Sequence, residues 1–229
     1  NGKYKVMGEN PDNFPKEPAA DDTTGFTMSS TALVTAINKT IFAVSGDDLR
    51  PAMTGVFFEL SKDGVQFVAT DAHRLVRYKR TDAKATKTDS FIVPKKPLNL
   101  LKNALPDNDD EISVSYNSNH LFVSHGDVQM ICRLIDARFP DYKVVIPAEN
   151  PYHLVVNKQD FQNALRRVSV FSNKSTNQVA LSITGSELQM AAQDVDFSFE
   201  GNERMNCQYN GEDLQIAFNA KFLIEMLSA

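Results

Sequence analysis

The chain has 229 residues, 42% hydrophobic and 23% charged, enough apolar material for one large or two ordinary domains with their own cores. Its 24 Lys and Arg stand against 29 Asp and Glu, a net charge of -5, which argues against indiscriminate adhesion to nucleic acid but leaves local basic patches open. No apolar run is long enough for a helical membrane span, and no leader segment is expected. The two cysteines, Cys132 and Cys207, are far apart in apolar alternation and read as reduced core residues of a cytoplasmic protein.

In chain order, Lys3-Tyr4-Lys5-Val6 reads as a short strand, followed by a stretch rich in Pro, Asp and Asn around Pro11, Pro15 and Pro18. Residues 1–24 are expected to be the end of a preceding unit plus a linker, and both ends of the chain are expected to be cut. A helix is predicted over 29–45, capped by Ser29 or Ser30, with Leu33, Ala36, Ile37, Ile41 and Val44 at helical spacing. Strands follow at 55–60, 65–69 and 74–79, with Asp63-Gly64 as a hairpin signal. The order then recurs. A strand at 90–94 leads into a helix over 95–105, then strands at 111–116, 120–124 and 128–134.

After a Pro-bearing link, 138–151, a further copy begins. It has a strand at 154–156, a helix over 158–173, strands at 179–184, 188–193, 195–200 and 204–209, and a strand at 214–218 entering a helix from Asn219. The large copies are offset by roughly 125 to 128 residues with a half-period of about 65, too long for a solenoid and suited to duplicated globular domains. The expected class is α+β. Each domain places two helices on antiparallel sheets, related by a pseudo-two-fold. Residues 25–148 form a complete domain and 149–229 the first half of another. An asymmetric α+β enzyme fold is the alternative, and it leaves the repeat to chance.

The four predicted helices, with Lys174 just past the third, carry nine basic and two acidic side chains, a net of +7 within a chain of -5. Lysines favour exposed helix faces in any protein, but a bias shared by pseudo-equivalent helices points to a surface for phosphates. No helix carries an Asn/Gln/Arg cluster for reading base edges, so contact with the phosphate backbone is expected, independent of sequence and steeply salt dependent.

Catalytic signals are weak. His73, His120, His125 and His153 lack a second ligand at helical spacing, so no metal and no cofactor is expected. Asp71-Ala72-His73 could be a carboxylate-oriented histidine of a hydrolase, although a turn held by Asp71 explains it more simply. No nucleophile elbow or phosphate-cradling Gly-rich loop occurs. A scaffold binding only proteins is the third possibility.

Four separated blocks carry a resemblance. Ser45-Gly46-Asp47-Asp48-Leu49-Arg50-Pro51-Ala52-Met53-Thr54-Gly55, Thr70-Asp71-Ala72-His73-Arg74-Leu75, Ile92-Val93-Pro94-Lys95-Lys96 and Arg138-Phe139-Pro140-Asp141-Tyr142 resemble, in order and spacing, the bacterial DNA polymerase III beta subunit family, the sliding clamps. The resemblance implies a noncatalytic ring of two three-domain chains, encircling duplex DNA and tethering polymerase III subunits and the clamp loader through short peptides. Ring closure there joins the first domain of one subunit to the third of the next, so this chain by itself is expected to be monomeric and not to encircle DNA. The implied peptide pocket comprises Met53, Thr70, Ala72, His73, Arg74, Leu75, Pro140, Val144 and Val145, with His73 and Arg74 as donors at its rim. Ala72 stands where the family has glycine. The residues expected to face DNA are Lys39, Arg50, Lys95, Lys96, Lys102, Arg166 and Arg167.

Overall fold

The computed structural model describes all residues, 1–229, and divides into two units, Asn1–Phe139 and Pro140–Ala229. The division falls ahead of the boundary expected after residue 148. Phe139 explains the first unit's claim on this link: its ring stacks on Phe57, centroids 4.6 Å apart.

Lys3–Val6 does not form the expected strand. The segment takes no strand pairing and is exposed throughout. Alternating residues do not hold a strand without a neighbour to take its backbone hydrogen bonds. The first strand of the unit is instead β1 (Thr24–Ser29), a segment not predicted as a strand.

Helix α1 (Ser30–Thr40) starts where Ser29 Oγ accepts from the N–H of Ala32. It buries Leu33, Ala36 and Ile37 and ends earlier than the apolar spacing suggests. Thr40 Oγ1 donates back to the Ala36 carbonyl at 2.7 Å, and the chain tightens into a 3-10 turn at Ile41–Ala43. Strands β2 (Gly55–Ser61), β3 (Gly64–Thr70) and β4 (Leu75–Arg80) follow, then β5 (Asp89–Pro94), α2 (Lys95–Ala104), β6 (Glu111–Tyr116), β7 (His120–His125) and β8 (Val128–Arg133). Ser61 pairs with Gly64, so the first hairpin turns on Lys62-Asp63, one residue before the expected dipeptide.

These strands form two antiparallel four-stranded sheets, ordered β1-β6-β7-β8 and β4-β3-β2-β5. Each half of the unit lends the strand before its helix to the other half's sheet: β1 pairs with β6, and β5 with β2. That reciprocal exchange is the pseudo-two-fold written in hydrogen bonds. Between the sheets and the paired helices lies one core, including Phe58, Leu60, Phe67, Ile112, Val114, Leu121, Leu33, Ile37, Leu98 and Leu101. Period-2 alternation on the strands and 3.6 spacing on the helices aim these side chains inward.

The second unit opens with a 3-10 turn at Tyr142–Val145, followed by β9 (Leu154–Val155) and α3 (Lys158–Val168), which is capped by Asn157 and runs into a 3-10 turn at Ser169–Phe171. Then come β10 (Gln178–Thr184), β11 (Glu187–Asp194), β12 (Phe199–Asn206), β13 (Gln208–Tyr209), β14 (Leu214–Asn219) and α4 (Ala220–Ser228). The strands expected at 195–200 and 204–209 are replaced by one strand, β12, paired to β11 from Asp194↔Phe199 to Glu187↔Asn206. Val195 to Ser198 make the turn instead. Buried Asp194 accepts from the N–H of Asp196, and Ser198 takes a left-handed φ of 56°. The sheet order is β12-β11-β10-β14, with β9 and β13 as a separate two-stranded ribbon. Leu165, Val168, Val179, Leu188 and Met190 centre its smaller core.

Candidate functional site

The loop between β3 and β4, Asp71-Ala72-His73-Arg74, is closed by the pairing of Thr70 with Leu75. Its geometry is tied down from inside. Thr70 Oγ1 donates to the Arg74 carbonyl at 2.7 Å and accepts from the N–H of Ala72. Asp71 Oδ1 accepts from the N–H groups of His73 and Arg74, both at 3.0 Å, while Oδ2 pairs with Arg74 Nε at 3.1 Å. Ala72 is held at a φ of 74°, a left-handed conformation in which a Cβ is strained by about 1–2 kcal/mol. Ala72 and His73 are exposed, and Leu75 is half-buried.

Arg74, expected at the rim, is turned inward in this structure. Its side chain is only 9% exposed. Nη2 donates to the Phe42 carbonyl at 2.8 Å, just past the end of α1, and the guanidinium lies 5.3 Å from the Phe42 ring centroid. Sequence reading did not single out Phe42; nothing local links it to a loop that follows β3. Met53 hangs from the same stretch, since its carbonyl accepts from the N–H of Ser45 at 2.9 Å. Asp71 meets His73 through the latter's main-chain N–H, the arrangement of a turn rather than of a catalytic pair. Pro140, Val144 and Val145 belong to the second unit, the last two on a 3-10 turn at Tyr142–Val145, and all three are exposed.

The basic residues fall into three environments. Lys95 and Lys96 are exposed in the first turn of α2 and make no ion pair. That helix is the only one of the four without a capping side chain, because Pro94 occupies the cap. Two cations at a helix start oppose the macrodipole, so stability alone does not favour them there. Lys39 and Lys102 occupy the last turns of α1 and α2, which pack together, and Lys102 Nζ reaches Asn38 Oδ1 at 3.4 Å across that contact.

Arg50, Arg166 and Arg167 differ. Arg50 is exposed but pairs with Asp47 at 3.0 Å; the Leu49 backbone N–H and then Arg50 hold the Asp47 carboxyl below its usual range. Arg166 is exposed and without an ion pair. Arg167 is gripped by both oxygens of Glu203, at 2.6 Å each, which lowers the Glu203 pKa. Its charge is locally spent. In the second unit α3 and α4 pack side by side, as α1 and α2 do in the first.

The His, Cys, Asp and Glu side chains form no group of three or more placed to hold a metal ion. No helix is long and apolar enough to cross a membrane.

Comparison with known proteins bears on both units. Residues 27–141 match the DNA polymerase III beta subunit, central domain, and residues 143–229 its C-terminal domain. The chain is 32% identical over 236 residues to the beta sliding clamp of Synechococcus elongatus, spanning 100% of this chain and 62% of the relative. It is 28% identical to that of Escherichia coli K12, over 89% of this chain and 56% of the relative. Among solved structures, the beta subunit of Thermotoga maritima superposes with a TM-score of 0.89 at 30% identity, covering 96% of this chain and 59% of that one. A beta subunit from Pseudomonas aeruginosa gives 0.91 at 26% identity, covering 96% and 60%. The chain thus spans about 60% of the length of the curated relatives it matches. Two matched domains in family order, on the fold of the solved clamps, make this chain a member of the DNA polymerase III beta subunit family, the bacterial sliding clamps.

Proposed function

We propose that this chain is the central and part of the C-terminal region of a noncatalytic processivity clamp, which in its whole form closes as a two-chain ring around duplex DNA. The carrying observation is the first turn of α2. Lys95 and Lys96 stand exposed and unpaired at a helix start that no side chain caps, on a helix packed beside α1. Such a surface suits phosphates of any sequence and nothing that requires base readout. Lys39, Lys102 and Arg166 extend it; Arg50 and Arg167 contribute after exchanging Asp47 and Glu203 for phosphate. Residues 1–24 are read as the end of the first clamp domain, 25–148 as the middle domain and 149–229 as the start of the third.

Partners, among them polymerase III subunits and the clamp loader, dock short peptides with apolar anchors against the turn of the first unit, at Met53, Thr70, Ala72, His73 and Leu75. In the first unit half-buried Leu75 supplies apolar surface; in the second, exposed Val144 and Val145 beside Pro140 offer apolar surface of their own. A cytoplasmic place of work accords with two free, buried cysteines; burial pushes the Cys132 thiol up to about 11. Asp71 is too fully engaged with Arg74 and the turn's N–H groups to serve a hydrolase.

The test uses the full-length ring. Reversing both Lys95 and Lys96 to Glu lowers retention on circular DNA and flattens the slope of log affinity against log salt by about two phosphate contacts. An unchanged slope places the DNA track elsewhere. This chain alone runs as a monomer in light scattering; a mass of twice the chain refutes that part.

A further inference from the structure

The pocket turn depends on a residue that need not touch a peptide. Asp71 sits at its base with its side chain only 16% exposed. One of its oxygens collects the N–H groups of His73 and Arg74; the other orients the Arg74 guanidinium. The guanidinium in turn grips the Phe42 carbonyl and lies against the Phe42 ring. From Phe42 the chain runs to Ser45, whose N–H holds the Met53 carbonyl. Asp71 therefore connects three things: the left-handed backbone at Ala72, the end of α1 and the segment bearing Met53.

We propose that Asp71 is the positioning residue of the peptide-binding turn, and that Arg74 acts inward as its tether to α1 rather than outward as a peptide donor. This rests on the pocket reading given above. A free loop with Ala72 at positive φ relaxes towards right-handed conformations. The two N–H bonds to Asp71 Oδ1 prevent that relaxation, and the Arg74 bond to Phe42 fixes where the loop stands over the hairpin. The ordering is complete before a peptide arrives, so the peptide does not bear its entropy.

Asparagine at position 71 separates the two parts, because its Oδ1 still accepts both N–H groups while its amide cannot pair with Arg74. The experiment measures, on this chain, anisotropy of a fluorescein-labelled hexapeptide with leucine and phenylalanine anchors, together with amide exchange at His73 and Arg74. Asp71→Ala is expected to speed exchange at those two amides at least about tenfold and to weaken the peptide about tenfold. Asp71→Asn and Arg74→Lys keep the amides protected and weaken the peptide about threefold. Leu75→Ala keeps the protection and loses the peptide.

Native exchange in Asp71→Ala overturns the proposal. So does native peptide affinity in Asp71→Ala despite faster exchange at the two amides, or faster exchange spread over the whole unit. Native peptide affinity in Leu75→Ala sinks the pocket reading itself, and the positioning role with it. That failure is read from Leu75→Ala alone.

Discussion

Strands β5 and β14 occupy the same place in their units: each pairs with the first strand after the preceding helix and runs directly into the next helix. Phe91 and Val93 on β5 face Phe58 and Val56; Ile216 and Phe218 on β14 face Leu181 and Val179. Yet Phe91 and Val93 are 8% and 0% exposed, while Ile216 and Phe218 are both 38% exposed. The first unit has a second four-stranded sheet, β1-β6-β7-β8, whose side chains share one core with those of β5. The second unit has only the β9–β13 ribbon beside its single large sheet. An apolar strand face thus records a need for cover, not the presence of it.

The largest expected effect tests that contrast. Phe91→Ala removes a buried ring and should cost about 3–5 kcal/mol in urea unfolding, whereas Ile216→Ala should cost about 1 kcal/mol or less. Equal costs erase the distinction. The basic helices offer a second contrast, since Lys95 and Lys96 are unpaired and Arg167 is not. In the full ring, Lys95→Glu with Lys96→Glu should weaken DNA retention several-fold more than Arg167→Ala does at equal salt. A dominant Arg167 reverses the ranking.

Smaller effects sharpen the turn. Ala72→Gly relieves the left-handed φ and should raise stability by about 0.5–1 kcal/mol, read as a shifted urea midpoint in the first unit's transition. The smallest concerns acid. The Arg167 guanidinium holds Glu203 below its ordinary pKa, so their pair contributes above the unfolded glutamate's pKa and fades as pH falls through the folded value. Glu203→Gln should remove that part of the acid-side slope of stability, and only a small part, because the pair lies at the surface.

Much of the fold was legible because the pattern and the turn chemistry agreed. Along β2 and β3, Phe58, Leu60, Val65 and Phe67 alternate into the core, with Asp63-Gly64 marking the turn to within one residue. Disagreement was where reading failed. Val195, Phe197 and Phe199 alternate like a strand, yet Asp194 and Ser198 impose a turn across them. β1 carries only two apolar positions, Phe26 and Met28, before α1 begins, too short an alternation to stand out. At the candidate site the 70–75 motif showed which residues form the turn, and Asp71 was readable as its brace. The inward use of Arg74 was not, since its carbonyl partner is 32 residues away and any residue supplies a carbonyl.

The exchange of strands between the halves of the first unit has a bearing on synthesis. β1 emerges from the ribosome roughly 80–90 residues before β6, the strand that satisfies its backbone. Until then Thr24–Ser29 is an unclaimed edge beside a finished α1, open to mispairing in a crowded nascent pool. Closing so distant a contact is slow by topology alone, which predicts a sluggish final step in refolding of the first unit.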